Sequence, residues 1–404
     1  MLLEFTVGNY LSFKDKKTLS LEAAPITEFP DNVIDAGNFK LLRSAVIYGA
    51  NSSGKSNFLS ALTKMQNIVT SSAKQTSTDR IEVFPYLLNT ITENAPSFFE
   101  ILFLIENVRF RYGFEVDKDK IHSEWLFVLT VDRKKEKELF IRNEDDFDIS
   151  KDFSEGKGIE QKTRSNGLFL SAVDQFNGTI ANAIMRWFDK FTILSGLNHE
   201  KDRSLSVLLM KDSGFKDRFK KFICDFNLGF NEIRIDESGE ESNLIFTRHN
   251  KYNEDNKLVD DISFTLTSHE SSGTNKLFDM AGYIWGGLFL GKVVVIDELD
   301  AKLHPLITQA IVKLFNSKES NPQNAQLIFA THDTNLLNHG HLRRDQIYFT
   351  EKDHYEASDL YSLVEYKDID DMKIRKDSSF EKDYIKGRYG AIPFVGDFSF
   401  ILNK

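Results

Sequence analysis

Gly49-Ala50-Asn51-Ser52-Ser53-Gly54-Lys55-Ser56 decides how this chain is read. The stretch fits G-x-x-x-x-G-K-[ST], a pattern that a chain of this length meets by chance on the order of one time in a hundred. Its flanks have the order the pattern needs. Before it, Leu42 to Gly49 carries a compact apolar centre, Ala45 to Tyr48, which suits a buried strand. After it, Phe58, Leu59, Leu62, Met65 and Val69 recur at helical spacing. The glycines let the backbone curl so that successive N–H groups face a phosphate, and the helix N-terminus adds partial positive charge. The residues expected to cradle ATP are Gly49, Asn51, Ser52, Ser53, Gly54, Lys55, Ser56 and Asn57. Lys55 would bridge the β- and γ-phosphates, and Ser56 would also coordinate Mg2+.

Two later strands end in chemistry. Val293 to Glu298 is an apolar run closing on two acids. Such a run suits a parallel strand buried on both faces, and the C-terminal ends of these strands hold the ligands of α/β sheets. Asp297 is expected to orient Mg2+ through its water shell, and Glu298 to polarise the water that attacks the γ-phosphate. An adjacent acid pair differs from a GTPase-type site, where a Gln orients the water. Ala325 to Ala330 leads into Thr331-His332-Asp333, and His332 can hydrogen-bond the γ-phosphate from its strand end. His339 and His341 have no metal spacing. Glu270-Ser271-Ser272-Gly273-Thr274-Asn275-Lys276-Leu277 lies at the start of a helix. A Ser/Gly turn there is a second anion site, with Ser271, Ser272 and Gly273 as its residues.

Composition bounds the rest. With 41% hydrophobic residues, 35 Phe and only 7 Pro in 404 residues, the chain is neither disordered nor collagen-like. A net charge of −10 argues against a nucleic-acid binder over its whole surface and leaves a local basic groove open. Cys224 is the only cysteine, which excludes an intrachain disulfide and a cysteine metal cluster. The start of the chain lacks a basic leader, and the apolar run Met280 to Gly291 is too short to span a bilayer. No membrane partner and a cytoplasmic location are expected.

Residues 97–131 read as three successive antiparallel strands, and the charged stretch 133–166 as loops. Helical stripes follow, Ile180 to Phe191 and Phe215 to Phe226, and 236–261 reads as an acidic loop. Basic residues on the helical faces (Lys211, Lys216, Arg218, Lys220, Lys221) could meet nucleic acid or an acidic partner, but Asp212, Asp217 and Asp225 are interleaved, which favours a solvated face.

Together the phosphate loop, the Ser271-Ser272-Gly273-Thr274 turn, the acidic strand and the strand–His resemble the ABC-type ATPase heads. Ser271 and Gly273 match the signature Ser and second Gly; Ser272 replaces the first Gly and Thr274 the Gln or Glu. More narrowly, the chain looks like the compact AAA-family ATP-binding proteins related to the overcoming-lysogenization-defect ATPases and to abortive-infection ATPases. Leu2-Leu3-Glu4-Phe5-Thr6-Val7-Gly8-Asn9-Tyr10-Leu11-Ser12-Phe13-Lys14-Asp15 resembles the start of those proteins and of SMC and RecF heads. Asp297 to Pro305 resembles their acidic strand and following loop, and Lys386 to Pro393 a tail of the abortive-infection type. The glutamine loop of ABC heads has no counterpart; Phe84 to Asn89 occupies its region without a Gln.

The resemblance implies an α/β fold: an ABC-type P-loop ATPase head with a mixed central sheet, an antiparallel β subdomain and a helical lobe. It implies one head over 1–404. The phosphate loop and antiparallel strands fall in 1–132, and the helical lobe and loops in 133–262. Signature, acidic strand and His fall in 263–350, and a tail in 351–404. The implied activity is ATP hydrolysis, slow and regulatory, with ATP and Mg2+ as cofactors and Glu298 and His332 as the catalytic residues. The implied partners are a second copy, joined through ATP sandwiched by the signature turns, and a separately encoded effector, a nuclease or toxin. DNA or a phage product is the implied trigger, in anti-phage defence. Alternatives are a repair ATPase that clamps duplex DNA and a self-contained nuclease. No coiled-coil arm is present, and the tail's Asp359, Asp368, Asp370, Asp371 and Asp377 show no nuclease pattern. Phe380, Phe394, Phe398 and Phe400 crowd the tail, where a partner surface is expected. Truncation after Asp383 is expected to remove that surface and leave ATP binding intact.

Overall fold

Ser44–Gly49 is a strand of six consecutive buried residues, as its apolar centre requires. The computed structural model in which it sits describes residues 1–130, 135–236, 244–338, 342–366 and 379–393. The chain divides into two units, Met1–Lys190 with Thr334–Lys404, and Phe191–Asp333. Each combines sheet and helix, so the fold is mixed α/β.

In the first unit, Ser44–Gly49 pairs in parallel with Ile347–Lys352, which pairs antiparallel with Ser358–Ser362. A seven-stranded antiparallel sheet supplies most of the remaining core. Its order is Asp146–Ile149, Lys137–Asn143, Ile121–Leu129, Val108–Val116, Ser97–Ile105, Leu2–Gly8 and Lys17–Ser20. Alternation puts Phe99, Ile101 and Phe103 on its buried face. There Phe103 stacks on Trp187 of the helix Thr179–Phe188, with ring centroids 4.0 Å apart.

The expected triplet of strands is therefore present, but the charged stretch after it is not all loop. Lys137–Asn143 and Asp146–Ile149 extend the sheet. Leu139, Phe140 and Arg142 are buried in that charged sequence. The charges pair across strands instead of marking a loop: Glu136 accepts from Arg109 at 3.0 Å and from Arg111 at 2.9 Å.

The C-terminal helix Phe380–Ile385 also belongs to this unit. Phe380, Tyr384 and Tyr389 are buried. Tyr384 lies 5.7 Å from Tyr48 and 5.3 Å from Phe349, centroid to centroid, and Tyr389 lies 5.6 Å from Phe349. Phe380 is thus core and not partner surface. Removing the rings beyond Asp383 would uncover the phosphate-loop strand. Phe394, Phe398 and Phe400 lie outside the described residues, as do Asp368, Asp370, Asp371, Asp377, His339 and His341.

In the second unit, Phe191–Ser195, Val293–Asp297 and Gln326–Ala330 form a parallel ladder with Val293–Asp297 between the others. Phe191 continues the helical stripe in sequence, yet the helix ends at Phe188 and Phe191 opens a strand opposite Val293. A stripe is blind to that switch, because a Phe packs equally well from either element. Glu232–Asp236, Leu244–Tyr252 and Leu258–Thr265 form a second, antiparallel sheet where a loop is expected. Most of Leu258–Thr265 is exposed, so it shows no apolar alternation to read. The helices Arg203–Lys211, Lys216–Cys224 and Ser272–Leu290 pack around Met210, Phe219, Ile223, Phe278 and Ala281. Among the described residues no helix is long and apolar enough to cross a membrane.

Candidate functional site

The sequence-predicted residues fall in two groups, one in each unit. In the first unit, strand Ser44–Gly49 delivers the chain into a turn that opens the helix Lys55–Ser71. Gly54 stands at the junction with φ +119, a conformation that an L side chain rarely adopts, and a Cβ there would collide with Ser358 Oγ. No side chain caps the helix, and its first turn holds no acid. An uncapped N-terminus of this kind is a ready anion site. Lys55 is buried, and its Nζ donates to Gly49 O at 2.8 Å and Ala50 O at 3.0 Å. Asn51, Ser52 and Ser56 are exposed on the loop, Ser53 is buried, and Asn57 donates from Nδ2 to Ser12 Oγ. The structure therefore gathers all the predicted phosphate-loop residues at one turn.

Hydroxyls from distant segments hold that turn. Ser53 Oγ lies 2.6 Å from Thr350 Oγ1. Ser358 Oγ donates to Ser53 O at 2.7 Å and lies 2.7 Å from Ser12 Oγ. Asn9 fastens the neighbouring loop: its Oδ1 accepts from Tyr86 N, and its Nδ2 reaches Thr92 O and Ala95 O. The stretch Phe84 to Asn89 is thus tied to the Asn9–Ser12 turn through Tyr86. Sequence reasoning missed these supports. Asn9 and Ser12 stand in the opening segment that carries the resemblance, whereas Thr350 and Ser358 have no local signal.

In the second unit, strand Val293–Asp297 ends in the acid pair. Asp297 Oδ1 is buried and has no hydrogen-bond partner among the described residues. Glu298 is half-buried with a left-handed backbone, φ +53, so the chain leaves the strand abruptly and its carboxylate is set by the turn. Ser271 caps the helix Ser272–Leu290, its Oγ accepting from Thr274 N at 3.1 Å. Ser271 and Ser272 are exposed at the helix start. Gly273 lies against the turn after the acids: a Cβ there would stand 2.5 Å from Lys302 O. His332 is exposed, and its backbone N–H is 3.3 Å from both carboxylate oxygens of Asp300. Asp297, Glu298, the Ser271–Gly273 turn and His332 are therefore gathered around one loop, 298–302.

Magnesium fits these residues. No cluster of three or more His, Cys, Asp or Glu occurs among the described residues, and this ion needs none. It takes few protein oxygens and keeps waters and phosphates as its other ligands. In the second unit the orphaned Asp297 Oδ1 is an oxygen of this kind, and in the first unit Ser56 is exposed.

A glycine-bent loop with a buried lysine at an uncapped helix start defines a P-loop nucleotide-binding protein. The family model described as "AAA domain, putative AbiEii toxin, Type IV TA system" matches residues 44–338, well over half of the chain. The chain belongs to this AAA-domain family. A solved structure described as the recombination mediator protein RecF-ATPrS in the RecFOR pathway aligns over 89% of this chain and 98% of that one. Identity is 12% and the TM-score 0.29, a likeness that is silent on function. No curated protein matches the sequence.

Proposed function

We propose that this ATPase binds ATP with Mg2+, closes as a homodimer around two nucleotides and hydrolyses them slowly, and so gates a separately encoded effector in defence against phage. Gly49 and Asn51 to Asn57 hold the phosphates, with Lys55 at the β- and γ-phosphates and Ser56 and Asp297 toward Mg2+. The bound ion neutralises phosphate charge and orients the leaving group. Ser271, Ser272 and Gly273 present a helix N-terminus to the γ-phosphate held by the other copy. Glu298 takes the proton of the attacking water, and His332 hydrogen-bonds the γ-phosphate. ATP shifts the dimer equilibrium only by its differential affinity for the closed state, and hydrolysis removes that difference.

The observation that carries the hydrolytic reading is the buried Asp297 Oδ1, without a hydrogen-bond partner among the described residues, beside a half-buried Glu298 at the end of a parallel strand. An orphaned carboxylate oxygen is costly unless a ligand satisfies it. The family's description names a putative toxin of a type IV TA system; the separately encoded partner, a nuclease or toxin, is part of the proposal. A phage product or DNA is the proposed trigger. The test is Glu298→Gln. Turnover should fall by roughly a hundredfold or more while ATP binding persists. A variant that hydrolyses ATP like the parent removes Glu298 from the role of base.

A further inference from the structure

Lys276 is fully buried, although its sequence context, a charged residue one turn into a helix, reads as solvated surface. Its Nζ donates to three backbone carbonyls: Ala301 at 2.7 Å, Leu299 at 2.9 Å and Glu298 at 3.1 Å. An ammonium has three donors and no acceptor, so the trio uses it completely. None of the three bonds goes to a carboxylate. Burial pushes the Lys276 amine down to about 8, while Asp300 and Glu298 pull it up. A buried cation spent only on main-chain oxygens is an expensive way to hold a loop unless the loop's path matters.

The path is unusual. Glu298 and Lys302 both have left-handed backbones, φ +53 and +61, at the two ends of the loop. Two glycines admit it, one at each end. Gly273 faces Lys302 O, and a Cβ on Gly196 would collide with Glu298 O. Gly196 N in turn donates to Asp297 O at 2.7 Å. Lys276 stands three residues past Gly273 on the helix that Ser271 caps. One rigid turn of helix therefore separates the exposed Ser271–Gly273 turn from three bonds to the loop. From the loop, Asp300 continues to the backbone of His332.

We propose that Lys276 is a positioning residue that ties the Ser271–Gly273 turn to the backbone of Glu298, so that a phosphate seated on the turn sets the pose of the Glu298 carboxylate of the same chain. This deepens the proposed function and rests on it. Because the bonds go to carbonyls, the carboxylates of Glu298 and Asp300 stay free for water and for His332. The engagement of one copy's turn with the other copy's ATP is thereby reported to the first copy's own base, and the two hydrolysis events become coupled.

The test is Lys276→Met in the full chain, with Lys276→Gln read by the same criterion should the Met variant fail to fold. Turnover at saturating ATP should fall roughly tenfold to a hundredfold, while half-saturating ATP stays within about twofold of the parent. Combining Lys276→Met with Ser271→Ala should slow turnover no further than the worse single change, because both act along one path. Multiplying effects would mean that the two act separately and would overturn the coupling. A soluble variant that keeps at least half of the parental rate would overturn the positioning role. If Glu298→Gln turns over like the parent, the proposed function fails first and the inference falls with it. If Glu298→Gln is inactive and Lys276→Met is not, the inference alone is wrong.

Discussion

The phosphate loop and the acidic loop are fastened to different extents by distant neutral groups. The first is held by neutral groups spread across the chain, Ser12, Thr350 and Ser358 with Asn9 one step behind, besides the loop's own Lys55 on two carbonyls. A single buried cation, Lys276, holds the second through three carbonyls. Neutral hydrogen bonds contribute about 1 kcal/mol each, so loss of one hydroxyl leaves the phosphate loop nearly in place. Loss of the one ammonium strands three acceptors at once. The first arrangement suits a cradle that must be ready for any triphosphate. The second suits a loop whose pose has to answer to one distant contact.

Changes in the two regions should therefore differ in kind. The largest effect in the phosphate loop is expected from Gly54→Ala, which meets both a left-handed backbone and Ser358 Oγ. Strain of about 1–3 kcal/mol should weaken ATP binding roughly tenfold to a hundredfold in a titration with a fluorescent ATP analogue. An affinity within threefold of the parent would mean that the loop has slack and that the hydroxyls do not hold it.

Charge-based fastening should also make the second unit sensitive to pH. On the helix Ser272–Leu290, Asp279 is fully buried and pairs with His199 at 2.8 Å and Arg203 at 2.7 Å. Burial, with the charge of Asp279 in support, holds the nearby Asp202 carboxyl up at about 6, against an ordinary value of 3.8. The folded chain keeps that proton to higher pH than the unfolded chain. Stability from this group is thus greatest below about pH 4, falls as pH rises to about 6, and stays low above it. Asp202→Asn should stabilise the protein by about 2–3 kcal/mol at pH 7.5 in chemical denaturation. The gain should shrink toward zero at pH 4, and equal gains at both pH values would contradict the sign.

The smallest effect is expected from Ser358→Ala. Removing one member of the hydroxyl group should cost about 1 kcal/mol, a roughly fivefold weaker ATP affinity, with turnover at saturation unchanged. A loss of fiftyfold or more would show that the cradle hangs on one bond after all and would erase the contrast with Lys276.

The same contrast explains what the sequence shows. Gly49, Gly54 and Lys55 are legible because backbone curl and phosphate contact need those residue types at that spacing. Val293 to Asp297 is legible because a strand buried on both faces has to be apolar. Lys276 is hidden, since nothing local says whether a helical lysine meets water or three carbonyls. Thr350 and Ser358 are hidden because their partner, Ser53, lies some 300 residues away in the chain. Leu258–Thr265 escapes notice as an exposed strand, and Lys137–Asn143 because it lies in a charged stretch whose Glu136 pairs across the sheet. The tail's Phe380 reads as a surface from its position near the end, yet it packs inside.

The central claim is that ATP joins two copies through the Ser271–Gly273 turns, and the mass of the Glu298→Gln variant in solution tests it most directly. With ATP and Mg2+ the variant should have twice the mass it has without nucleotide, and adding Ser271→Arg, which fills the turn, should return it to the monomer with ATP still bound. A Glu298→Gln chain that binds ATP and remains a monomer at micromolar concentration would contradict the account.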